Sequence, residues 1–425
     1  MSQLGALSAA ALASIDGGLA ATDELLEKNY PGDDGRRQPI HTAYVPADRF
    51  TPELPAAWGT AALEVAGGVA GLAALAEKLG LAQPEELATL VAAKLQNEPI
   101  EDLRLDFEDG YGNRGDTAED AAAIAAAEQV AKAVAAGVAP PFIGIRFKCF
   151  EAPTRARGLR TLDLFVSTLA RAGELPEGLV LTLPKVTTVD QVRAMVFVCE
   201  QLEAAHCLPA GRLRFEVQME TPQLILAHDG TVPSATLLHT GAGRISSLHY
   251  GTYDYSASLG IAAAYQSMEH PAADYAKNVM QVAVAGTGVH LSDGSTNILP
   301  LGELEQVQAA WALHARLVRR HLERGIYQGW DLHQNQLPTR YLATYAFYRE
   351  GFAAAATRLR NYVHRIESAI MDEPATARAL ANFIRRGLIC GALTEAEITS
   401  TAEISLSTLE SIALARATQT EDSNV

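Results

Sequence analysis

From His41 onward, short apolar runs of strand length alternate with longer stretches in which apolar residues recur at helical spacing. The strand candidates are His41 to Val45, Leu103 to Phe107, Phe142 to Phe147, Leu179 to Leu183, Leu213 to Met219, Ile245 to Tyr250, Val289 to Leu291 and, most weakly patterned, Ile326 to Leu332. Between them lie helical patterns: Trp58 to Leu79 with Pro84 to Leu95, Thr117 to Ala136, Thr161 to Ala172, Val189 to Ala205, Thr221 to His239, Tyr255 to Gly286 and Leu304 to Arg324. Such alternation implies right-handed crossovers and a parallel sheet. Eight units favour a closed α/β fold, a (β/α)8 TIM barrel, over an open doubly wound sheet. The predicted organisation is an N-terminal helical arm and loop over 1–38, the barrel over 39–336 and a C-terminal helical extension over 337–425. Past Pro338 the strand pattern stops, and Arg340 to Ala417 reads as consecutive helices followed by a polar, frayed tail.

Composition narrows the class of partner. The 425 residues are 48% hydrophobic and 20% charged, which is ordinary for a globular protein able to bury a large core. A net charge of −16 argues against a surface for nucleic acid or anionic lipid and favours small molecules. The Ala6 to Ala21 run has no basic residue before it and is interrupted by Asp16, so it does not read as a signal peptide, and no segment reads as a membrane span. Cys149, Cys199, Cys207 and Cys390 show no CxxC spacing, which fits a reducing cytoplasm.

The ends of the predicted strands carry the candidate chemistry. Glu220 follows the strand ending at Met219 and precedes a Thr-Pro step, and Asp254 lies just after Gly251 at the matching turn one unit later. Alone, each reads as an acid capping a helix. Together, on consecutive strand ends, they can converge on one hard cation whose other positions are filled by water and substrate oxygens, as magnesium is usually held. The neighbouring strand ends add Asp106, Glu108 and Asp109, then Arg146, then Lys185. Acidic, basic, basic, acidic and acidic groups facing one way suit an anionic substrate bridged by a metal. Lys185 reads first as a rim residue, since Schiff-base work needs a buried amine of depressed pKa. His249 reads first as a core histidine and second as a base.

These residues carry a resemblance. Tyr44-Val45-Pro46-Ala47-Asp48-Arg49, Asp106-Phe107-Glu108-Asp109, Ile145-Arg146-Phe147, Leu183-Pro184-Lys185-Val186, Met219-Glu220-Thr221 and Gly251-Thr252-Tyr253-Asp254, in this order, resemble the HpcH/HpaI aldolase and citrate lyase beta-subunit superfamily. The resemblance implies a magnesium-dependent barrel of the phosphoenolpyruvate/pyruvate-domain type, with manganese as a substitute. It also implies a homotrimer or hexamer acting on oxo-acids or acyl-coenzyme A thioesters. It implies Glu220 and Asp254 as metal ligands, Glu108 and Asp109 as the acidic pair that orders water on the metal, and Arg146 as the substrate-binding arginine. Lys185, Gly251 and Thr252 join Arg146 as candidate substrate contacts. Trp330-Asp331-Leu332-His333-Gln334-Asn335-Gln336 resembles the closing Ile-His-Pro-x-Gln segment, with Gln334 where the proline is expected.

The expected activity is carbon-carbon lyase chemistry through a metal-stabilised enolate, with coenzyme A left open as part of the substrate. The base stays open among His249, water on the metal, and a carboxylate from Glu108 or Asp109. A malate-synthase-like acyltransferase, an acyl-coenzyme A thioesterase and a non-catalytic subunit of a larger complex are the alternatives.

Overall fold

A computed structural model describes residues 7–366 and 372–414. Eight strands form one sheet: β1 His41–Pro46, β2 Asp102–Asp106, β3 Phe142–Arg146, β4 Leu179–Leu183, β5 Arg214–Met219, β6 Ile245–Tyr250, β7 His290–Ser292 and β8 Gly329–Asp331. All neighbours pair in parallel, in the order β7-β6-β5-β4-β3-β2-β1-β8. A parallel bridge between Ser292 and Gln328 closes the ring. The expected TIM barrel is therefore the observed fold, and each strand lies where the apolar runs place it.

The strands alternate in an instructive way. Leu103, Leu105, Ile143, Ile145, Leu181, Leu183, Phe215 and Val217 are fully buried and belong to the apolar core that the surrounding helices share. Many of the intervening positions are polar, among them Asp102, Arg104, Thr182, Glu216 and Gln218, and several of these meet inside the barrel. Arg104 of β2 crosses the axis to Glu216 of β5, with Nε to Oε1 at 3.2 Å and Nη2 to Oε2 at 3.0 Å. Arg104 Nη2 also donates to Asp102 at 2.7 Å, and Thr182 donates to Glu216 at 2.6 Å. Buried charges persist only when paired in this manner. The barrel is thus filled by an ion-pair network at mid-height.

Two predicted helices are broken. The run from Thr221 to His239 becomes a 3-10 turn, Pro222–Leu224, a loop, and a short helix, Pro233–Thr240. Asp229 accepts the backbone N–H of Thr231, and Gly230 takes a left-handed φ of 82°, so the chain turns where a helix would continue. The run from Tyr255 to Gly286 splits into Thr252–Ser258 and Pro271–Val284. Gly260, at φ 71°, ends the first piece, and His270 caps the second ahead of Pro271.

Leu337–His364 packs against Leu304–Glu323 and Pro84–Asn97 and serves as the eighth barrel helix. Its Arg340 is bonded to the buried Asp331 at 3.0 Å, which His41 also reaches at 2.7 Å. The distal half of this helix joins Pro374–Ile389, Glu395–Ala402 and Leu406–Ala413 around a separate apolar cluster that includes Leu359, Ile384, Ile398 and Leu409. The polar tail expected after Ala417 lies outside the described residues. The N-terminal helix, Ala9–Asn29, buries none of its residues. Among the described residues no single helix is long and apolar enough to cross a membrane. One pair, Leu54–Val65 with Gly68–Lys78, passes that test only together, across a 64° bend.

Candidate active site

At the C-terminal ends of the strands lies a cavity of about 400 Å³, lined among others by Tyr44, Asp109, Arg146, Glu220, Thr252 and Asp254. This is the end at which barrels of this kind place their chemistry. Six residues read from the sequence, Asp109, Arg146, Glu220, Gly251, Thr252 and Asp254, meet on its wall.

Arg146 ends β3 beside the last residue of β2, Asp106, in register. Its Nε and Nη2 bind the two Asp106 oxygens at 2.7 and 2.6 Å. Asp106 also accepts the backbone N–H groups of Glu108 at 2.9 Å and Gly110 at 2.7 Å. Nη1 of Arg146 lies 3.5 Å from Glu108, and the guanidinium carbon sits 4.9 Å from the centre of the Tyr44 ring. Burial opposes the arginine charge, but Asp106 outweighs it and holds the group well above the usual arginine range. The planar fork is thereby fixed, and Nη1, the nitrogen that Asp106 does not hold, has Glu108 as its neighbour. Asp106 is the residue the sequence reading placed in a motif without a role; its signal is the inward-facing series Asp102, Arg104, Asp106, a polar stripe at a spacing of two.

Lys185, at the end of β4, adopts a left-handed backbone with φ 48°. Its ammonium contacts Glu108, lies 3.0 Å from Asp109 and reaches to 3.7 Å of Asp254, while its backbone N–H donates to Glu220 at 2.7 Å. Lys185 therefore stands between the two acidic pairs as a counter-charge, with its amine pushed upward in pKa rather than depressed. Its carboxylate neighbours thus favour the charged ammonium over the free amine that Schiff-base chemistry needs. Burial raises the Glu108 carboxyl despite Arg146. In Asp109, Arg146 and Lys185 overcome burial and lower it.

Glu220 is 2% exposed, and burial together with the neighbouring Asp254 pushes its carboxyl up to about 8. It fits only because residue 251 is glycine: a Cβ there would lie 2.4 Å from both Cβ and Oε2 of Glu220. Asp254 sits in the first turn of Thr252–Ser258 and is half exposed to the cavity, and Thr252 is buried with its hydroxyl on the carbonyl of Ser295 at 3.1 Å. Two adjacent carboxylates, one of them buried and driven toward its neutral form, fit an open divalent-cation position with room for substrate oxygens. Among the described residues no group of three or more His, Cys, Asp or Glu side chains is arranged to hold a metal ion.

His249 is not brought to this cavity. It is fully buried inside the barrel, where Trp330 donates to its Nδ1 at 3.1 Å and its Nε2 meets Ser247 at 2.7 Å and Glu216 at 3.2 Å. An indole nitrogen only donates, so Nδ1 carries no proton and the ring is neutral. Burial lowers its pKa to about 4, against the pull of Glu216. The reading of His249 as a base is corrected accordingly: the ring belongs to the interior network, and the reason is its pair of fixed partners.

The chain belongs to the DUF6986 family, described as a domain of unknown function, whose profile matches residues 19–417. No curated protein matches it. Among solved structures it is similar to the citrate lyase beta subunit of M. tuberculosis complexed with oxaloacetate and magnesium, at 16% identity over 73% of this chain and 99% of that one, with a TM-score of 0.40. A native malate synthase from Haloferax volcanii is 14% identical over 89% of this chain and 99% of that one, with a TM-score of 0.49. An HpcH/HpaI aldolase/citrate lyase family protein from Burkholderia cenocepacia J2315 is 14% identical over 70% and 90%, with a TM-score of 0.40. The superfamily whose strand-end motifs the sequence resembles is thus represented among the structures to which the chain is similar.

Proposed function

We propose that the protein is a divalent-cation-dependent carbon-carbon lyase of the aldolase or citrate lyase beta type, acting on a small anionic oxo-acid or hydroxyacyl thioester. The observation that carries this reading is that Arg146, held flat by Asp106, opens on the same cavity as the paired carboxylates Glu220 and Asp254. Glu220 and Asp254 would hold magnesium, or manganese in its place. When bound, the cation supplies positive charge where an enolate oxygen develops.

The remaining work falls to this chain's own groups. Arg146 takes the substrate carboxylate or carbonyl on its free edge and fixes the bond to be broken. Glu108 and Asp109 form the proton-handling pair: their surroundings push one carboxyl toward the acid and the other toward the ionised form, which is how two roles are divided between neighbouring carboxyls. Removing the substrate hydroxyl proton lets the carbon-carbon bond break into a carbonyl fragment and an enolate, and returning a proton to the enolate carbon completes the cleavage. Lys185 balances the acidic groups between turnovers, and Gly251 and Thr252 shape the wall beside Asp254.

The test is a screen of 2-oxo-acids, hydroxy-acids and acyl-coenzyme A thioesters with magnesium or manganese, following pyruvate, glyoxylate or free thiol. Metal-dependent release of a carbonyl fragment is the expected result. Thiol release that requires both glyoxylate and acetyl-coenzyme A would replace this reading with a malate-synthase-like acyl transfer, and absence of both turnover and divalent-ion binding would overturn it.

A further inference from the structure

The cavity at the C-terminal ends of the strands has two unlike sides. Its charged groups Asp106, Arg146, Glu220 and Asp254 stand at or just past the ends of β2, β3, β5 and β6. Tyr44, Val45 and Pro46 come instead from the end of β1, and Trp330 and Leu332 from the end of β8, which pairs with β1. Tyr253 also lines the cavity, and its hydroxyl accepts the backbone N–H of Asn297 at 2.6 Å, which ties the ring to the loop after β7. An apolar arc over β7, β8 and β1 thus stands across the barrel from the strands that carry Arg146 and Glu220. Where the arc meets β6, the Thr252 hydroxyl is spent on the Ser295 carbonyl.

The three aromatic residues of the arc have their polar atoms committed to protein partners. The Trp330 indole N–H donates to His249 Nδ1 at 3.1 Å. The Tyr44 hydroxyl accepts from Gln218 at 3.1 Å and donates to Glu216 at 3.4 Å, and the Tyr253 hydroxyl is bonded to Thr296 as well as to Asn297. What these side chains offer the cavity is ring carbon. Tyr44 and Trp330 pack with ring centres 5.0 Å apart, and the Arg146 guanidinium carbon lies 4.9 Å from the centre of the Tyr44 ring, so the apolar surface begins beside the arginine. Among the described residues that line the cavity, Arg146 is the only lysine or arginine. A second carboxylate on the substrate would meet carbon where it needs a donor, and an unpaired charge in such a place is costly.

We propose that the substrate is a 4-hydroxy-2-oxo acid whose fourth carbon bears a compact apolar group, aryl or branched alkyl, seated on the arc of Tyr44, Tyr253, Trp330 and Leu332. The inference rests on the lyase reading for the oxo-acid end, which Arg146, Glu220 and Asp254 take, and adds the other end. A three-carbon oxo-acid leaves the arc bare, whereas a cavity of about 400 Å³ is within the range of sites that enclose a small ligand with one apolar and one polar end. The cleavage balances without a further reagent. The C4 hydroxyl gives up its proton, the bond between C3 and C4 breaks with its electron pair passing into the enolate of pyruvate, the C4 oxygen becomes the carbonyl of an apolar aldehyde, and C3 takes one proton back.

The test is calorimetric titration of the full chain with magnesium and three unreactive oxo-acids: pyruvate, 4-phenyl-2-oxobutanoate and 2-oxoglutarate. The last two differ only in carrying a phenyl or a carboxylate on C4. The phenyl compound should bind about tenfold or more tighter than pyruvate, as burial of a phenyl-sized group gives, and 2-oxoglutarate no tighter than pyruvate. Leu332→Ser, at a half-buried side chain without a polar contact, should reduce the phenyl preference by about threefold or more and leave pyruvate and magnesium binding unchanged. If that variant fails to fold, the comparison on the wild type still decides. Turnover follows the same line: 4-hydroxy-4-phenyl-2-oxobutanoate should be cleaved to benzaldehyde and pyruvate faster than 4-hydroxy-2-oxoglutarate is cleaved to glyoxylate and pyruvate. Magnesium-dependent binding of pyruvate together with equal or tighter binding of 2-oxoglutarate, or preferred cleavage of an acyl-coenzyme A thioester, overturns the apolar substrate and leaves the metal site standing. Absence of magnesium-dependent binding of any oxo-acid overturns the lyase reading and this inference with it.

Discussion

Arg146 and Asp106, the last residues of adjacent strands, meet through two parallel contacts of 2.7 and 2.6 Å, so that the guanidinium plane is set by the strand register itself. Arg146→Lys keeps the charge and loses the fork. If the arginine orients the reacting groups, the loss should be about 2 to 4 kcal/mol of transition-state stabilisation, roughly 30- to 1000-fold in rate. Asp106→Asn should lower turnover and also destabilise the fold by about 3 to 5 kcal/mol, because it leaves a buried guanidinium uncompensated. Turnover and thermal unfolding measured on the same variants separate the roles. A lysine variant with normal activity per folded molecule would make Arg146 a structural residue only.

Glu220→Gln and Asp254→Asn should each leave the barrel intact and greatly weaken binding of magnesium or manganese, as calorimetric titration would show. The two variants differ in one respect. Without a cation, the ionised Glu220 is opposed by burial and by Asp254, so Glu220→Gln should unfold at a higher temperature than the wild type at pH 8 when a chelator is present. Wild-type affinity in both variants would reduce the pair to helix caps.

The strands were legible because their outward positions, such as Leu103, Leu105, Ile143 and Ile145, form short apolar runs between turns, and strand ends fall where those runs stop. That is why Arg146, Glu220 and Asp254 could be placed on one rim from sequence. What could not be read was the partner of each inward-facing charge. Arg104, for example, pairs with Asp102 and with Glu216, 112 positions away. Pairing across a closed barrel depends on strand register and shear, which local pattern does not encode. The same holds for His249, whose apolar neighbours in sequence say nothing of Glu216 on the adjacent β5 or of Trp330 on β8. The two broken helices were lost for a local reason: Gly230 and Gly260 interrupt a periodicity that continues on both sides.

His249 gives the interior a pH dependence. Its folded pKa, lowered to about 4 by burial, lies below the ordinary histidine value of 6.5. Between these values the unfolded chain binds a proton that the folded protein refuses, so stability falls as pH drops from 6.5 toward 4, by on the order of a few kcal/mol. Above pH 6.5 this contribution is constant. Chemical denaturation of the wild type and His249→Gln at pH 8 and pH 5 tests it: the drop between the two should be smaller in the variant. An equal drop in both would mean that other groups carry the acid sensitivity.

Association is expected through the outer helices, as a trimer or a multiple of one. The resemblance motivates the number, and the surface supplies a reason for association: Leu12, Ile15, Leu19 and Leu26 lie along one side of Ala9–Asn29, and each is about half exposed. Sedimentation at micromolar concentration should therefore give a mass of three chains or a multiple. A stable monomer would remove this expectation without touching the arrangement of Asp106, Arg146, Glu220 and Asp254.

Gly251→Ala is the sharpest probe of the site's construction. The substitution adds one methyl group at a backbone φ of −100°, which alanine adopts freely, so backbone strain plays no part. The methyl carbon would lie 2.4 Å from Glu220 Cβ and Oε2, well inside contact distance, and one of the two must move. Glu220 is also held by the Lys185 N–H at 2.7 Å, so its displacement breaks that bond and shifts the carboxylate away from Asp254. Overpacking of this kind costs about 1 to 3 kcal/mol of stability. The expected outcome is a moderate fall in unfolding temperature together with a large loss of divalent-ion affinity and of turnover, approaching that of Glu220→Gln. Since alanine carries no group able to bind or repel a cation, the loss would come from displacing Glu220 relative to the turn that carries Asp254. Retained magnesium affinity in Gly251→Ala, measured by calorimetry on folded protein, would show that the carboxylate's position beside Asp254 is not what the cation requires.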